Sequence, residues 1–241
     1  TTLHNVKSNY ISSVFDVVHD HGLRTALFAS KPKFTLYDQS YNDSAGAEDN
    51  TGRNDGRDKI DSYVMDVDSD ALVASYLDAM IRSPFNYTLL HLHNPDTAGH
   101  ASNWDVTLGS GYLNSIIAVD RLLGRILEFV ESQPTLAGKT ALIVTTDHGG
   151  RLGTIWHEPA ASAENYTIPF YIWGNTVARR TDLYSINSAT RADPGLGRPD
   201  YGTALQPIRN GDSANLALDL LGIKLIPGST INALQDLNFA R

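Results

Sequence analysis

Tyr87-Thr88-Leu89-Leu90 leading to Asn94-Pro95-Asp96-Thr97-Ala98-Gly99-His100, and Ala141-Leu142-Ile143-Val144 leading to Thr145-Thr146-Asp147-His148-Gly149-Gly150, are the stretches whose reading decides the fold. Each begins as an apolar run that reads as a buried strand, and each delivers an Asp and a His where that strand should end. Between them, Gly111–Ser132 carries Leu113, Ile116, Ile117, Leu123, Ile126, Leu127 and Val130 at helical spacing. Strand, helix and strand form a crossover unit, which is right-handed and sets its two strands parallel. Ligands of an open parallel sheet bind beyond the carboxyl ends of its strands. The two Asp/His segments are therefore expected to share one crevice.

The flanking sequence keeps the same rhythm. Ser12 or Ser13 can cap a helix bearing Val14, Phe15, Val17 and Val18, with Gly22 just past its end, and 24–29 then reads as a buried strand. Residues 70–81 form an amphipathic helix with Leu72, Tyr76, Leu77 and Met80 inward. An apolar strand follows at 166–173, where Pro169 argues for an edge or an irregularity. A further strand is expected at 182–186 and a last helix at 213–221, closed by Gly222. The fold class is α/β: three layers, a mostly parallel central sheet flanked by helices, in one domain spanning 1–241. A polar loop insertion is expected around 40–61 and a Gly/Pro-rich surface segment around 187–210.

Composition narrows the function. The 241 residues include 41% hydrophobic and 19% charged residues, which fits a folded globular chain. The formal net charge of -8 argues against a nucleic-acid polymer as partner, since no basic stripe is available to release counterions. Absence of cysteine rules out disulfides and thiolate metal sites. The apolar runs are too short for a membrane span. Thr1 is not a natural start, so a processed or truncated product is expected, and an exported location is favoured over a cytosolic one.

Two carboxylates and two imidazoles gathered at one sheet edge suit a divalent metal, zinc above manganese or iron. Asp147 and His148 are adjacent and would point to opposite faces of a regular strand. They act together only where the strand has broken, a freedom that Gly149-Gly150 supplies. Asp96 and His100 are four apart, as on one face of a helical turn. Lys31, Lys33, Arg57 and Lys59 can be read as phosphate contacts or as solvated surface charge. Asp49, Asp55 and Gly56 lack the spacing of an EF-hand loop. His91 and His93 share one strand face and suit a supporting shell or plain packing. Trp104 and Tyr112 suit a pocket lining or packing, and Asn210-Gly211-Asp212 the cap of the last helix.

With these residues in place, Pro95-Asp96-Thr97-Ala98-Gly99-His100, Thr146-Asp147-His148-Gly149-Gly150, His157 and Ile168-Pro169-Phe170-Tyr171-Ile172-Trp173-Gly174 resemble the alkaline phosphatase superfamily, and within it type I phosphodiesterase/nucleotide pyrophosphatase-like proteins. The resemblance runs from about residue 13 to about 221. It implies an alkaline phosphatase-like core without its first elements, and two divalent ions. Asp96, His100 and His157 would hold one ion, and Asp147 and His148 would serve the second. The implied activity is hydrolysis of phosphoric esters, of the phosphodiester or nucleotide pyrophosphate class, on a small anionic substrate. A phosphomutase of the same superfamily and a non-catalytic metal- or ligand-binding module are the alternatives. Members of the family carry a further Asp ligand and a Thr or Ser nucleophile upstream of the matching region. The nucleophile is accordingly expected upstream of Thr1, and the chain as given is expected to be impaired.

Overall fold

Ser13 begins the first well-packed helix by a reciprocal device. Its side chain accepts from the backbone N–H of Asp16, while the Asp16 carboxylate accepts from the backbone N–H of Ser13. Two of the donors that a helix start leaves unmet are thereby satisfied. The computed structural model describes residues 1–157 and 159–240. Its helices are α1 (Leu3–Lys7), α2 (Val14–Asp20), α3 (Thr35–Ser40), α4 (Ser69–Arg82), α5 (Asn94–Ser102), α6 (Gly111–Ser132), α7 (Ala163–Tyr166), α8 (Leu183–Ile186) and α9 (Asp212–Leu220). The strands are β1 (Thr25–Ala29), β2 (Ser62–Met65), β3 (Tyr87–His91), β4 (Ala141–Thr145) and β5 (Phe170–Gly174). No described helix is long and apolar enough to cross a membrane.

The chain divides into two compact units, Thr1–Asn94 with Leu221–Ser229, and Pro95–Leu220 with Thr230–Arg241. The first is built on a parallel sheet in the order β2-β1-β3, with helices α2 and α4 packed on β1. All five residues of β1 are fully buried, which explains its unbroken apolar run. From α4, Leu72, Val73, Tyr76 and Met80 are buried, and Leu77 is only half-buried. The expected α/β class, a parallel sheet flanked by helices, is what the chain adopts.

Two elements differ from the sequence expectation. Among the described residues β3 and β4 do not pair: β3 joins β1, whereas β4 pairs antiparallel with β5, Ala141 opposite Gly174 and Thr145 opposite Phe170. The crossover reading took the strand nearest upstream as partner. The chain after β4 instead turns back on itself, and the shorter loop to β5 costs less closure entropy than the route back to β3. Pro169, which has no N–H to give a ladder, sits just outside β5, and its carbonyl accepts from Thr145 Oγ1 at 2.9 Å. At 182–186 the structure has helix α8 in place of the expected strand. The Asp182 carboxylate accepts from the Ser185 N–H at 3.0 Å, which opens a helical turn.

Residues 41–61 contain no helix or strand, but the segment is not simply solvated. Tyr41, Lys59 and Ile60 are buried. The Lys59 ammonium is fully enclosed, donating to Asp20 at 3.2 Å, to the Gly56 carbonyl at 3.0 Å and to Asp49. His19 adds contacts to Asp49 at 3.1 Å and Asp55 at 3.5 Å. This ion cluster ties the loop to α2. It also corrects the reading of Lys59 and Arg57 as phosphate contacts, because Lys59 is spent on carboxylates and Arg57 donates to the Gly46 carbonyl at 2.7 Å. Burial alone would raise the Asp49 carboxyl, but Lys59 and the Asp55 N–H outweigh it and hold the group well below the usual carboxylate range. Asp20 is pushed upward, by burial first and then by its hydrogen bond to Asp49.

Removing one partner of a buried ion pair leaves the other charge stranded, so Lys59→Ala should destabilise the first unit by about 3–5 kcal/mol and Lys59→Met by less. Urea melts read by circular dichroism measure both. Because Asp49 is depressed in the folded state, its contribution is present above the ordinary carboxylate range and lost as pH falls below it. Asp49→Asn should therefore flatten the loss of stability between about pH 5 and about pH 2, and an unchanged acid limb would assign that limb to other carboxyls.

Candidate metal centre

Helix α5 supplies the first half of the site. Pro95 stands in its first turn, where a missing N–H is tolerated, and Asp96 follows where the helix dipole favours a carboxylate. One turn on, His100 Nε2 lies 3.3 Å from Asp96 Oδ1, the i,i+4 juxtaposition expected from the spacing. The second half follows β4, which ends at Thr145. Beyond that end Asp147 and His148 escape strand alternation, and His148 Nε2 lies 3.7 Å from Asp147 Oδ2 and 3.6 Å from Asp96 Oδ1. His157 completes the group, its ring 4.0 Å from that of His148 and 5.4 Å from that of His100. Donor atoms of Asp96, His148 and His157 all lie within 4.8 Å of one another. All five anticipated residues thus fall in one neighbourhood of the second unit. The tightest trio draws on both sets that the resemblance had assigned to separate ions.

The hydrogen bonds fix which nitrogen of two imidazoles faces the centre. His100 Nδ1 meets the Ile155 carbonyl, and His148 Nδ1 meets the Gly149 carbonyl at 2.7 Å. A carbonyl oxygen only accepts, so each Nδ1 carries the hydrogen and each neutral ring leaves a bare lone pair on Nε2. Both lone pairs confront the same oxygen of Asp96. Acceptors facing one another across 3.3 and 3.6 Å call for positive charge between them, supplied by a proton or by a metal ion. The donors are partly open to solvent, with side-chain exposures of 21% for Asp96 and 22% for His148 against 68% for Asp147, so an ion and a small ligand have access.

Trp104 has a role that the sequence left between pocket and packing. Asn103 and Trp104 both take left-handed backbone conformations (φ 57° and 56°), which end α5 abruptly. A bulky residue there is strained, and such strain persists where the surroundings enforce it. The indole lies between two glycines: a Cβ on Gly99 would come within 2.3 Å of the ring, and one on Gly150 within 2.0 Å. Its centroid is 5.4 Å from His100, 6.2 Å from His148 and 5.3 Å from Tyr112, in edge-on geometry each time. Trp104 is therefore the spacer that sets α5 against the loop after β4. The available signal is a glycine within each motif, Gly99 and Gly150, which can mark a place where something approaches the backbone closely.

His91 and His93 lie at the end of β3 in the first unit and contribute to its packing: the His91 ring lies 4.2 Å from that of Phe34 at a 39° tilt, and the His93 backbone N–H donates to Ser30 Oγ at 2.8 Å. Asn210 is not a helix cap. Its amide donates to the carbonyls of Thr146 and Asp147, at 3.2 Å each, while Asp212 accepts from the Arg209 N–H at 2.7 Å.

The chain has a parallel sheet flanked by helices, and it superposes on phosphoglycerate mutase from Leishmania mexicana with a TM-score of 0.55, at 17% identity, over 94% of this chain and 39% of that one. This is the alkaline phosphatase-like fold, and the family match over residues 8–154 makes the class the alkaline phosphatase superfamily, whose members are phosphoryl-transfer enzymes that use divalent metals. The model of the type I phosphodiesterase / nucleotide pyrophosphatase family matches residues 8–154, more than half of the chain, and the chain belongs to that family. It is also similar to the 2,3-bisphosphoglycerate-independent phosphoglycerate mutase of Antithamnion sp., 25% identical over 140 residues, 56% of this chain and 26% of the relative. An inactive form of murine ectonucleotide pyrophosphatase / phosphodiesterase 5 in complex with AMP matches 56% of this chain and 31% of that one at 21% identity, with a TM-score of 0.38. The chain spans about a third or less of the curated relatives it matches.

Placing a methyl group against the indole should displace it. Gly150→Ala is expected to lower the stability of the second unit by about 1–3 kcal/mol, the usual cost of overpacking. Gly150→Ala combined with Trp104→Leu should recover part of that loss. Chemical denaturation of the four combinations tests the coupling, and strict additivity would remove Trp104 as the spacer.

Proposed function

We propose that the chain carries the metal-binding part of a phosphoryl-transfer centre, and that the intact protein hydrolyses phosphoric esters of the phosphodiester or nucleotide pyrophosphate class. The observation carrying this reading is the pair of Nε2 lone pairs directed at one Asp96 oxygen. The family match supports the substrate class.

Asp96, His100, His148 and His157 would hold divalent ions, zinc being best suited to a mixed oxygen and imidazole set, with Asp147 reaching in from the open side. When bound, such ions neutralise developing charge on phosphoryl oxygens and lower the pKa of a bound hydroxyl or water. The chain's own contribution is orientation. The Ile155 and Gly149 carbonyls hold the two rings in the tautomer that offers Nε2, and Trp104 excludes water from beneath them. The Asp96 carboxylate, near the start of α5, supplies fixed negative charge. A phosphomutase is the second reading, favoured by the two curated relatives, both phosphoglycerate mutases.

Zinc titrated into metal-stripped chain should raise the melting temperature. At a hundred times the dissociation constant the gain is about 2.7 kcal/mol, or roughly 5–10 °C. Asp96→Ala and His148→Ala should each abolish it. A well-folded sample whose melting is indifferent to zinc, manganese and iron would remove the metal centre. For the intact protein, chromophore release from a chromogenic diester should exceed release from the matching monoester by at least about tenfold. Transfer of phosphate between positions of a phosphoglycerate, with none released, would establish the mutase reading instead.

A further inference from the structure

We propose that Asn210 is a positioning residue for the metal centre, acting through the backbone of Thr146 and Asp147; this rests on the metal-binding reading above. The two hydrogens of its side-chain amide go to two successive carbonyls, Thr146 and Asp147, at 3.2 Å each. These are the peptide groups by which the chain leaves β4 and enters His148. Fixing both planes fixes the direction in which the His148 side chain departs, and so the place of its Nε2 beside Asp96.

The residue type matches the task. A primary amide offers two N–H donors on one atom, enough to bridge neighbouring carbonyls; Ser offers one, and Asp offers none and sets a negative charge against both oxygens. The base of the clamp is rigid. Gly211 follows, where a Cβ would fall 2.9 Å from Ile231 Cδ1 and oblige that side chain to shift. Asp212, buried at the start of α9, accepts from the Arg209 N–H at 2.7 Å and from Arg191 Nη2 at 3.3 Å. Arg191 is itself buried and reaches Asp236 at 2.8 Å and Asn232 at 2.9 Å. Helix α9 packs on β4. A buried ion pair thus anchors the turn from which Asn210 reaches the strand tip. None of this touches a metal donor directly, so the effect on the centre is one of aim.

Two measurements on Asn210→Ala and Asn210→Asp test this. The first is zinc affinity by competition with a chromogenic chelator, set beside the melting temperature of the metal-free protein. Zinc should bind the variants about 10–100-fold more weakly, as when supporting partners of metal ligands are removed, while the metal-free melting temperature stays within a degree or so of the parent. The second replaces zinc with cobalt and records the visible absorption at saturating metal. The spectrum of Asn210→Ala should differ from the parent's in band position and intensity, because the His148 nitrogen no longer reaches the ion in the same direction. Parent-like affinity together with a parent-like cobalt spectrum would overturn the role. So would a fall in affinity matched by a fall in metal-free stability with the spectrum unchanged, which would make Asn210 merely structural. If the parent itself binds neither zinc nor cobalt, the metal centre fails and the positioning role fails with it, a result distinct from failure of the variants alone.

Discussion

One oxygen of Asp96 faces two imidazole nitrogens, and the second unit of this chain is arranged around that confrontation. His100 and His148 have each committed their only hydrogen, in the neutral ring, to a backbone carbonyl. Nε2 of each is left aimed at the carboxylate, at 3.3 and 3.6 Å. Imidazole lone pairs set against a carboxylate oxygen oppose one another. Positive charge inserted between them, or a proton on a ring, turns that opposition into attraction. A divalent ion would supply the former.

Holding such a group together without an ion requires a stiff frame, and the frame is visible in parts that do no chemistry. Trp104 separates α5 from the loop after β4 by the thickness of an indole, and glycines on both faces allow the close approach. The left-handed backbone at Asn103 and Trp104 turns the ring back under the helix that precedes it. On the far side of the strand tip, Asn210 ties down two carbonyls from a turn anchored by Arg191 and Asp212. Burial raises the Asp212 carboxyl in spite of its Arg191 and Arg209 neighbours, so the anchor is costly to charge and is retained for the geometry it imposes.

How much of this was legible depended on how local the signal is. The capping box at Ser13, the long helix Gly111–Ser132 and the buried β1 are properties of a few consecutive residues, and periodicity and capping chemistry identify them directly. The gathering of Asp96, His100, Asp147 and His148 was legible because each Asp/His motif follows an apolar strand, whereas His157 entered only through the family resemblance. Strand pairing was not. Whether β4 joins β3 or β5 turns on the path of the chain between 146 and 169, which no apolar pattern encodes. The helical turn at Leu183–Ile186 was misread as strand because four residues are too few for the two periods to separate, although Asp182 before it was an available cap signal. Lys59 and Asn210 were misassigned for a related reason: a polar side chain in a loop is solvated by default, and only the fold shows that one is enclosed by carboxylates and the other clamps a strand tip.

The two units make a comparison that sharpens the metal reading. The first contains its own group of potential ligands, His19, Asp20 and Asp49, with donor atoms within the same 4.8 Å of one another as those of Asp96, His148 and His157. Composition and spacing do not distinguish the two groups. Charge does. In the first, the Lys59 ammonium is fully enclosed among the carboxylates and supplies permanently the cation that the cluster requires. A metal there would have to displace a buried lysine and strand its charge, at a cost of several kcal/mol. In the second, the nitrogens set against Asp96 belong to imidazoles, which carry charge only when protonated, and the donors stand partly open to solvent. The first group is therefore closed and structural. The second is open, as the proposed metal centre would need to be to take up an ion.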